Sequence, residues 1–178
     1  MKLSVKQIVA TAVGAALFFI LARFLSFPVF ANTYLTLQYA AAGFFAAVFG
    51  PVSGLLICFI GHTLTDLSYG YGIWWSWVIA SALVGLGSGF LVKSGKIEEG
   101  EFENKDAVRF IVGSLIVHAV AWGLVAPILD ILIYAEPADK VFVQGIIAGA
   151  GNFVITAIVG TLLIVGYSKT RVKTGSLE

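Results

Sequence analysis

Apolar runs long enough to cross a lipid bilayer follow one another from Gln7 to Tyr167, and few folds other than a membrane bundle can accommodate them. A helix rises about 1.5 Å per residue, so roughly 20 apolar residues span a hydrocarbon core of about 30 Å. The runs sort into six spans, at about residues 7–25, 35–49, 51–67, 73–92, 108–132 and 141–167. The second and third come from one run that is too long for a single crossing and carries Gly50-Pro51 in its middle. Proline lacks an N–H and disfavours helix in the residue before it, so the run breaks there into two short helices of about 15 residues. A membrane β-barrel would need alternating polar and apolar positions, and that alternation is absent. The expectation is an all-α bundle of six transmembrane helices forming one membrane domain over residues 1–178. Composition agrees: 59% of residues are hydrophobic and 12% charged, against about 25% charged in a typical soluble domain. A net charge of +1 with scattered basic clusters argues against nucleic-acid binding. The single Cys58 excludes a disulfide framework.

Orientation follows from the lysines and arginines of the loops, which favour the cytoplasmic side. Lys2 and Lys6 precede span one; Lys93, Lys96, Lys105 and Arg109 bracket the loop after span four; Lys169, Arg171 and Lys173 follow span six. With six spans these places share one side, and only Arg23 and Lys140 fall on the other. Both termini are therefore expected in the cytoplasm. A cleavable signal peptide ending at Val29-Phe30-Ala31 is the competing reading. It is disfavoured because the apolar stretch is too long and Arg23 interrupts it. Between Lys93 and Lys105 the glutamates read as a solvated loop.

Placed by depth, the polar residues gather in the outer half. His62 and Asp66 lie one turn apart on one face of span three. Asn32, Tyr34, Gln38 and Tyr39 lie in or just after the first outer loop. Tyr69, Tyr71, Trp74, Trp75 and Trp77 surround the second, and Trp122, Asp130 and Tyr134 belong to span five. Gln144 and Asn152 sit in the outer half of span six. Aromatic walls with few polar anchors are the makeup of a small-molecule pocket, so these sixteen residues are the candidate substrate-binding set. Each also has a plainer account: Trp and Tyr form interfacial belts, His62 and Asp66 satisfy each other, and Gln or Asn bonds helices together. The shared depth is what favours a pocket. It carries no basic residue except Arg23 and Lys140 at the rim, which argues against a polyanionic ligand.

Small residues four apart allow helices to approach closely. They occur at Ala12 and Ala16, at Ala42 and Ala46, at Gly85 and Gly89, and at Gly145 and Gly149. Packing within the chain explains such pairs, and a face on span one docked by another subunit explains Ala12 and Ala16 equally well. No Walker A loop, HExxH or cysteine cluster is present, so no ATPase, metal site or cofactor is expected. His118 lies too deep to join His62 and Asp66 around a metal. Gly87-Ser88-Gly89 with His118 superficially resembles an intramembrane serine protease, but Ser88 falls near the inner end of its span.

Several stretches together resemble a known family. They are Leu37-Gln38-Tyr39-Ala40, Phe49-Gly50-Pro51, Ile60-Gly61-His62 with Asp66, Tyr69-Gly70 and Trp74-Trp75-x-Trp77. Ala121-Trp122, Ala126-Pro127-x-x-Asp130-Ile131, Tyr134-x-Glu136-Pro137 and Gln144-Gly145 continue the series. In that order they are similar to the riboflavin-type S-components of energy-coupling factor (ECF) transporters. The resemblance implies a six-helix subunit of the bacterial plasma membrane that binds a B vitamin, cobalamin or riboflavin, from outside. It further implies docking through Ala12 and Ala16 to a transmembrane coupling subunit with two cytosolic ATPases, and toppling in the bilayer to release the cargo. The first outer loop, Ser26 to Thr36, would act as a lid. A stand-alone carrier or channel, or an intramembrane hydrolase, is the alternative.

Overall fold

The computed structural model describes residues 3–30 and 33–171. Helix α1 (Val5–Phe24) starts at a reciprocal cap: the Gln7 N–H donates to Ser4 Oγ at 3.2 Å, and the Ser4 N–H donates to Gln7 Oε1 at 2.9 Å. Gln7 Nε2 also donates to the Phe49 carbonyl at 3.0 Å, tying the start of α1 to the end of α2 (Gln38–Phe49). The break anticipated at Gly50-Pro51 is present. Gly50 turns the chain at φ +95°, a backbone conformation that costs glycine little, and Pro51 opens α3 (Pro51–Tyr69).

Helix α4 (Trp75–Ser88) follows, then a short α5 (Ser94–Glu98). The next rod is α6 (Asn104–Val120), a π-helical turn at Ala121–Val125 and α7 (Ala126–Tyr134). The last is α8 (Ala138–Ile155), a second π turn at Thr156–Gly160 and α9 (Thr161–Lys169). Four of these rods are long and apolar enough to cross a membrane: Val5–Phe24, Pro51–Tyr69, Asn104–Tyr134 and Ala138–Lys169. Gln38–Phe49 and Trp75–Ser88 are shorter apolar helices packed among them.

Three expectations need correction. The chain is not wholly helical: Ser26–Phe30 (β1) and Thr33–Thr36 (β2) pair antiparallel, with Pro28 opposite Tyr34 and a bulge beyond it. Residues 35–37 therefore precede the second helix. The short helices are the second and fourth, since α3 runs 19 residues and α4 only 14. Helix α4 stops at Ser88 because Gly85, Gly87 and Gly89 give a weak helical backbone, and turns close through Phe90 N–H to the Gly87 carbonyl. The glutamate-rich loop contains α5.

Helices α3 and α4 touch backbone to backbone. A Cβ on Gly85 would overlap the Gly54 carbonyl oxygen, one on Gly54 would overlap the Gly85 oxygen, and one on Gly89 would press into Pro51. Gly145 is held against the Trp122 carbonyl in the same way, and Ala42 and Ala46 are buried. Those small-residue pairs thus serve packing within the chain. Ala12 and Ala16 are exposed, flanked by exposed Ile8, Val9, Val13 and Leu17.

One buried apolar cluster, with Phe18, Ile57, Cys58, Val84 and Trp122, underlies the cavity described below. A second, with Val48, Ile97, Phe110 and Ile164, fills the opposite end. At that end the Glu98 carboxylate accepts from Lys6 Nζ (3.0 Å), Arg171 Nη2 (3.0 Å) and Tyr167 Oη (3.2 Å). Partial burial pushes this carboxyl up, but the hydrogen bond and charge of Lys6 and the bond from Tyr167 outweigh it and leave Glu98 below its ordinary range.

Candidate functional site

A cavity of about 440 Å³ opens at the end of the bundle where the hairpin lies. Its floor begins with α2. The Gln38 N–H donates to Thr36 Oγ1 at 3.1 Å, and the helix then carries Gln38 and Tyr39 into the cavity wall. Tyr39 is buried edge-on against Phe18 (5.4 Å), Trp122 (5.4 Å) and His118 (5.9 Å), and its hydroxyl donates to Ser81 Oγ at 3.1 Å. Trp122 reaches the floor from the π turn, a backbone irregularity often found at functional sites. Its indole N–H donates to His118 Nδ1 at 3.1 Å, so a neutral His118 carries its proton on Nε2.

The wall is built on two carboxylates. Asp130, 2% exposed, accepts from the Trp74 indole (2.6 Å), the Trp77 indole (2.7 Å) and the Ser76 hydroxyl. Asp66, 4% exposed, accepts the Trp74 backbone N–H through Oδ2 at 2.9 Å. His62 Nε2 stands 3.7 Å from Asp66 Oδ1, the neighbour the one-turn spacing requires but beyond good hydrogen-bond length. Between them the two carboxylates strap the turn after α3, where Gly70 and Gly72 take positive φ, to α7. Trp74 stacks on Tyr134 at 4.3 Å, and the Tyr134 oxygen accepts the Trp75 N–H at 2.8 Å.

Aromatic rings and one ion pair form the rim. Tyr34 of β2 stacks on Tyr69 (6.5 Å), Tyr69 on Tyr71 (5.6 Å), and the Arg23 guanidinium sits 4.7 Å from the Tyr69 ring centre. Burial, and then the Asp66 charge, push the Tyr71 phenol up to about 12. Lys140 Nζ is held by Glu136 at 2.6 Å.

Most of the candidate residues meet here. Tyr34, Gln38, Tyr39, His62, Asp66, Tyr69 and Tyr71 line the cavity, as do Trp74, Trp77, Trp122, Asp130, Gln144 and Asn152. Trp75 does not: it lies about 100° round the helix from Trp74, is 41% exposed, and stacks on Phe59 outside the bundle. Tyr134 stands behind Trp74 rather than in the cavity wall. Asn32 lies outside the described residues. Ala22, Thr33, Thr36, Thr65, Glu136, Lys140 and Ala148 also line the cavity and were not among the candidates. Glu136 and Lys140 were legible as outer-side charges, whereas the threonines and alanines carry no signal within apolar runs. Ser88 Oγ has no hydrogen-bond partner and forms no pair with His118. Among the described residues no group of three His, Cys, Asp or Glu side chains could hold a metal ion.

Comparison with known proteins fits this geometry. Residues 2–169 match the family described as ECF-type riboflavin transporter, S component. A UPF0397 protein of Lactococcus lactis subsp. cremoris (strain NZ9000) is 49% identical over 177 residues, covering 98% of this chain and 97% of the relative. A UPF0397 protein of Enterococcus faecalis (strain ATCC 700802 / V583) is 48% identical over 178 residues, covering 99% of this chain and 97% of the relative. Among solved structures, the crystal structure of FolT bound with folic acid shares the fold with a TM-score of 0.66 at 15% identity, covering 90% of this chain and 98% of that one. The chain belongs to the ECF-type riboflavin transporter S-component family, a family of substrate-binding transport subunits that are not themselves enzymes.

Proposed function

We propose that this protein captures a B vitamin from outside the cell, with cobalamin and riboflavin the candidates named by the family resemblance. The observation that carries this reading is the cavity of about 440 Å³ whose aromatic walls and polar anchors come from several different elements. Such a volume lies in the range of ordinary ligand pockets. A flavin-sized heterocycle suits it, whereas a corrinoid several times larger would need the mouth to open widely, so riboflavin is the better candidate. Half-buried Trp74 and Trp77 offer ring surface for stacking such a heterocycle, over a floor closed by the buried Tyr39 and Trp122. FolT, which shares the fold, binds folic acid, another flat ring system.

In this reading all six apolar rods cross the membrane, both termini lie in the cytoplasm, and the hairpin covers the mouth from outside. The lysine and arginine distribution supports that orientation. The exposed Ala12–Ala16 face of α1 docks a transmembrane coupling subunit, which brings two cytosolic ATPases. Supporting this, the other small-residue pairs are spent on packing inside the chain. Release of the cargo then follows toppling of the subunit within the bilayer.

The test is what the protein keeps through purification. Protein extracted in detergent from cells supplied with vitamins should release a flavin on heating, identified by absorbance and mass. Trp74→Ala should retain about two- to tenfold less, because one stacked face is worth roughly 0.5–1.5 kcal/mol. An empty wild-type protein, or full retention by the variant, would refute the pocket.

A further inference from the structure

The charge of the cavity carries a second inference, which rests on the capture role proposed above. Its charged lining residues are Asp66, Asp130, Glu136 and Lys140. Lys140 is occupied by Glu136, so the two deep carboxylates face the cavity without a lysine or arginine partner. Asp130 is satisfied by three neutral donors. Asp66 differs: Oδ2 takes the Trp74 N–H, while Oδ1 has only the distant His62 nitrogen. Two further acceptors on the same lining, Gln38 Oε1 and Asn152 Oδ1, are buried with no hydrogen-bond partner. A buried acceptor left unmade is costly, so the unfilled oxygens call for N–H and O–H groups from the ligand.

We propose that Asp66 is the specificity-determining residue of the cavity: its Oδ1 takes an N–H or a positively charged nitrogen of the ligand, and with Asp130 it excludes ligands of net negative charge. An anion in this space meets two carboxylates in a water-poor setting, where like charges a few ångströms apart repel far more than in water. A neutral imide or amine instead completes Asp66, and the amide oxygens of Gln38 and Asn152 accept its remaining hydrogens. The rule separates this site from the one that accommodates folic acid in FolT, since folic acid carries two carboxylates.

Purified protein in detergent is incubated with an equimolar mixture of thiamine, pyridoxamine, riboflavin, riboflavin 5′-phosphate, cobalamin, biotin, pantothenate and folic acid, and the retained compounds are measured by mass spectrometry. The expected result is retention of an uncharged or cationic compound only, with any flavin retained at least about 100-fold in favour of riboflavin over its phosphate. In Asp66→Asn, which keeps the shape but removes the charge, that discrimination against anions should shrink by about tenfold or more. Retention of an anionic vitamin by the wild type, or undiminished selectivity in a monodisperse Asp66→Asn, overturns the charge rule and leaves the capture role standing. Should the variant fail to fold, the wild-type preference decides alone. No retention of any compound by folded wild type overturns both.

Discussion

Asp130 shows how much one side chain can organise. Its carboxylate joins two indoles and a hydroxyl from the start of α4 to α7, so the aromatic wall is a consequence of one acceptor with several lone pairs. An amide of the same shape offers a single acceptor oxygen and turns an N–H₂ toward an indole N–H. Asp130→Asn should therefore cost about 1–3 kcal/mol through an unsatisfied buried donor, seen as a lower thermal midpoint in detergent with altered tryptophan fluorescence. At this scale the sequence was informative where polar groups interrupt apolar runs, because a buried carboxylate or amide needs a reason. It was silent at Thr65, whose hydroxyl donates back to the Gly61 carbonyl at 2.8 Å and so passes for an ordinary helix residue while facing the cavity. Trp75 marks the opposite failure, since adjacent tryptophans look alike until the helix phase is known.

Among the elements, the α3–α4 contact sets the geometry behind the site. Gly85→Ala places a methyl into the Gly54 backbone and should cost about 1–3 kcal/mol, measured by thermal unfolding, as the helices are forced apart. Gly123→Ala, where nothing lies within 4 Å of the added methyl, should change the midpoint far less. The Gly50-Pro51 corner was readable because glycine and proline restrict the backbone in known ways. The hairpin was not: Ser26 to Thr36 is too short to display a period, and its pairing is fixed by packing, with Leu35 seated where a side chain on Gly151 would stand. Nor could the end of α4 be read, since Phe90, Leu91 and Val92 are as apolar as the helix before them. The π turns add one residue of slack without any compositional marker.

For the molecule as a whole, the lipid-facing exterior is greasy on nearly every rod, and exposure alone identifies no partner. The small-residue ledge at Ala12 and Ala16 is different because it stands outward and unused. Replacing both with leucine should abolish co-purification with a coupling subunit while leaving vitamin retention unchanged. Intact assembly of the double variant would remove the ledge from consideration. The Glu98 knot bears on how such a subunit could move. The first rod, the segment between α4 and α6 and the last rod all meet at one carboxylate, which clasps both ends of the helical bundle to the same point. In the swing of cargo across the bilayer proposed above, the first and last rods would then travel together, carried by that shared anchor.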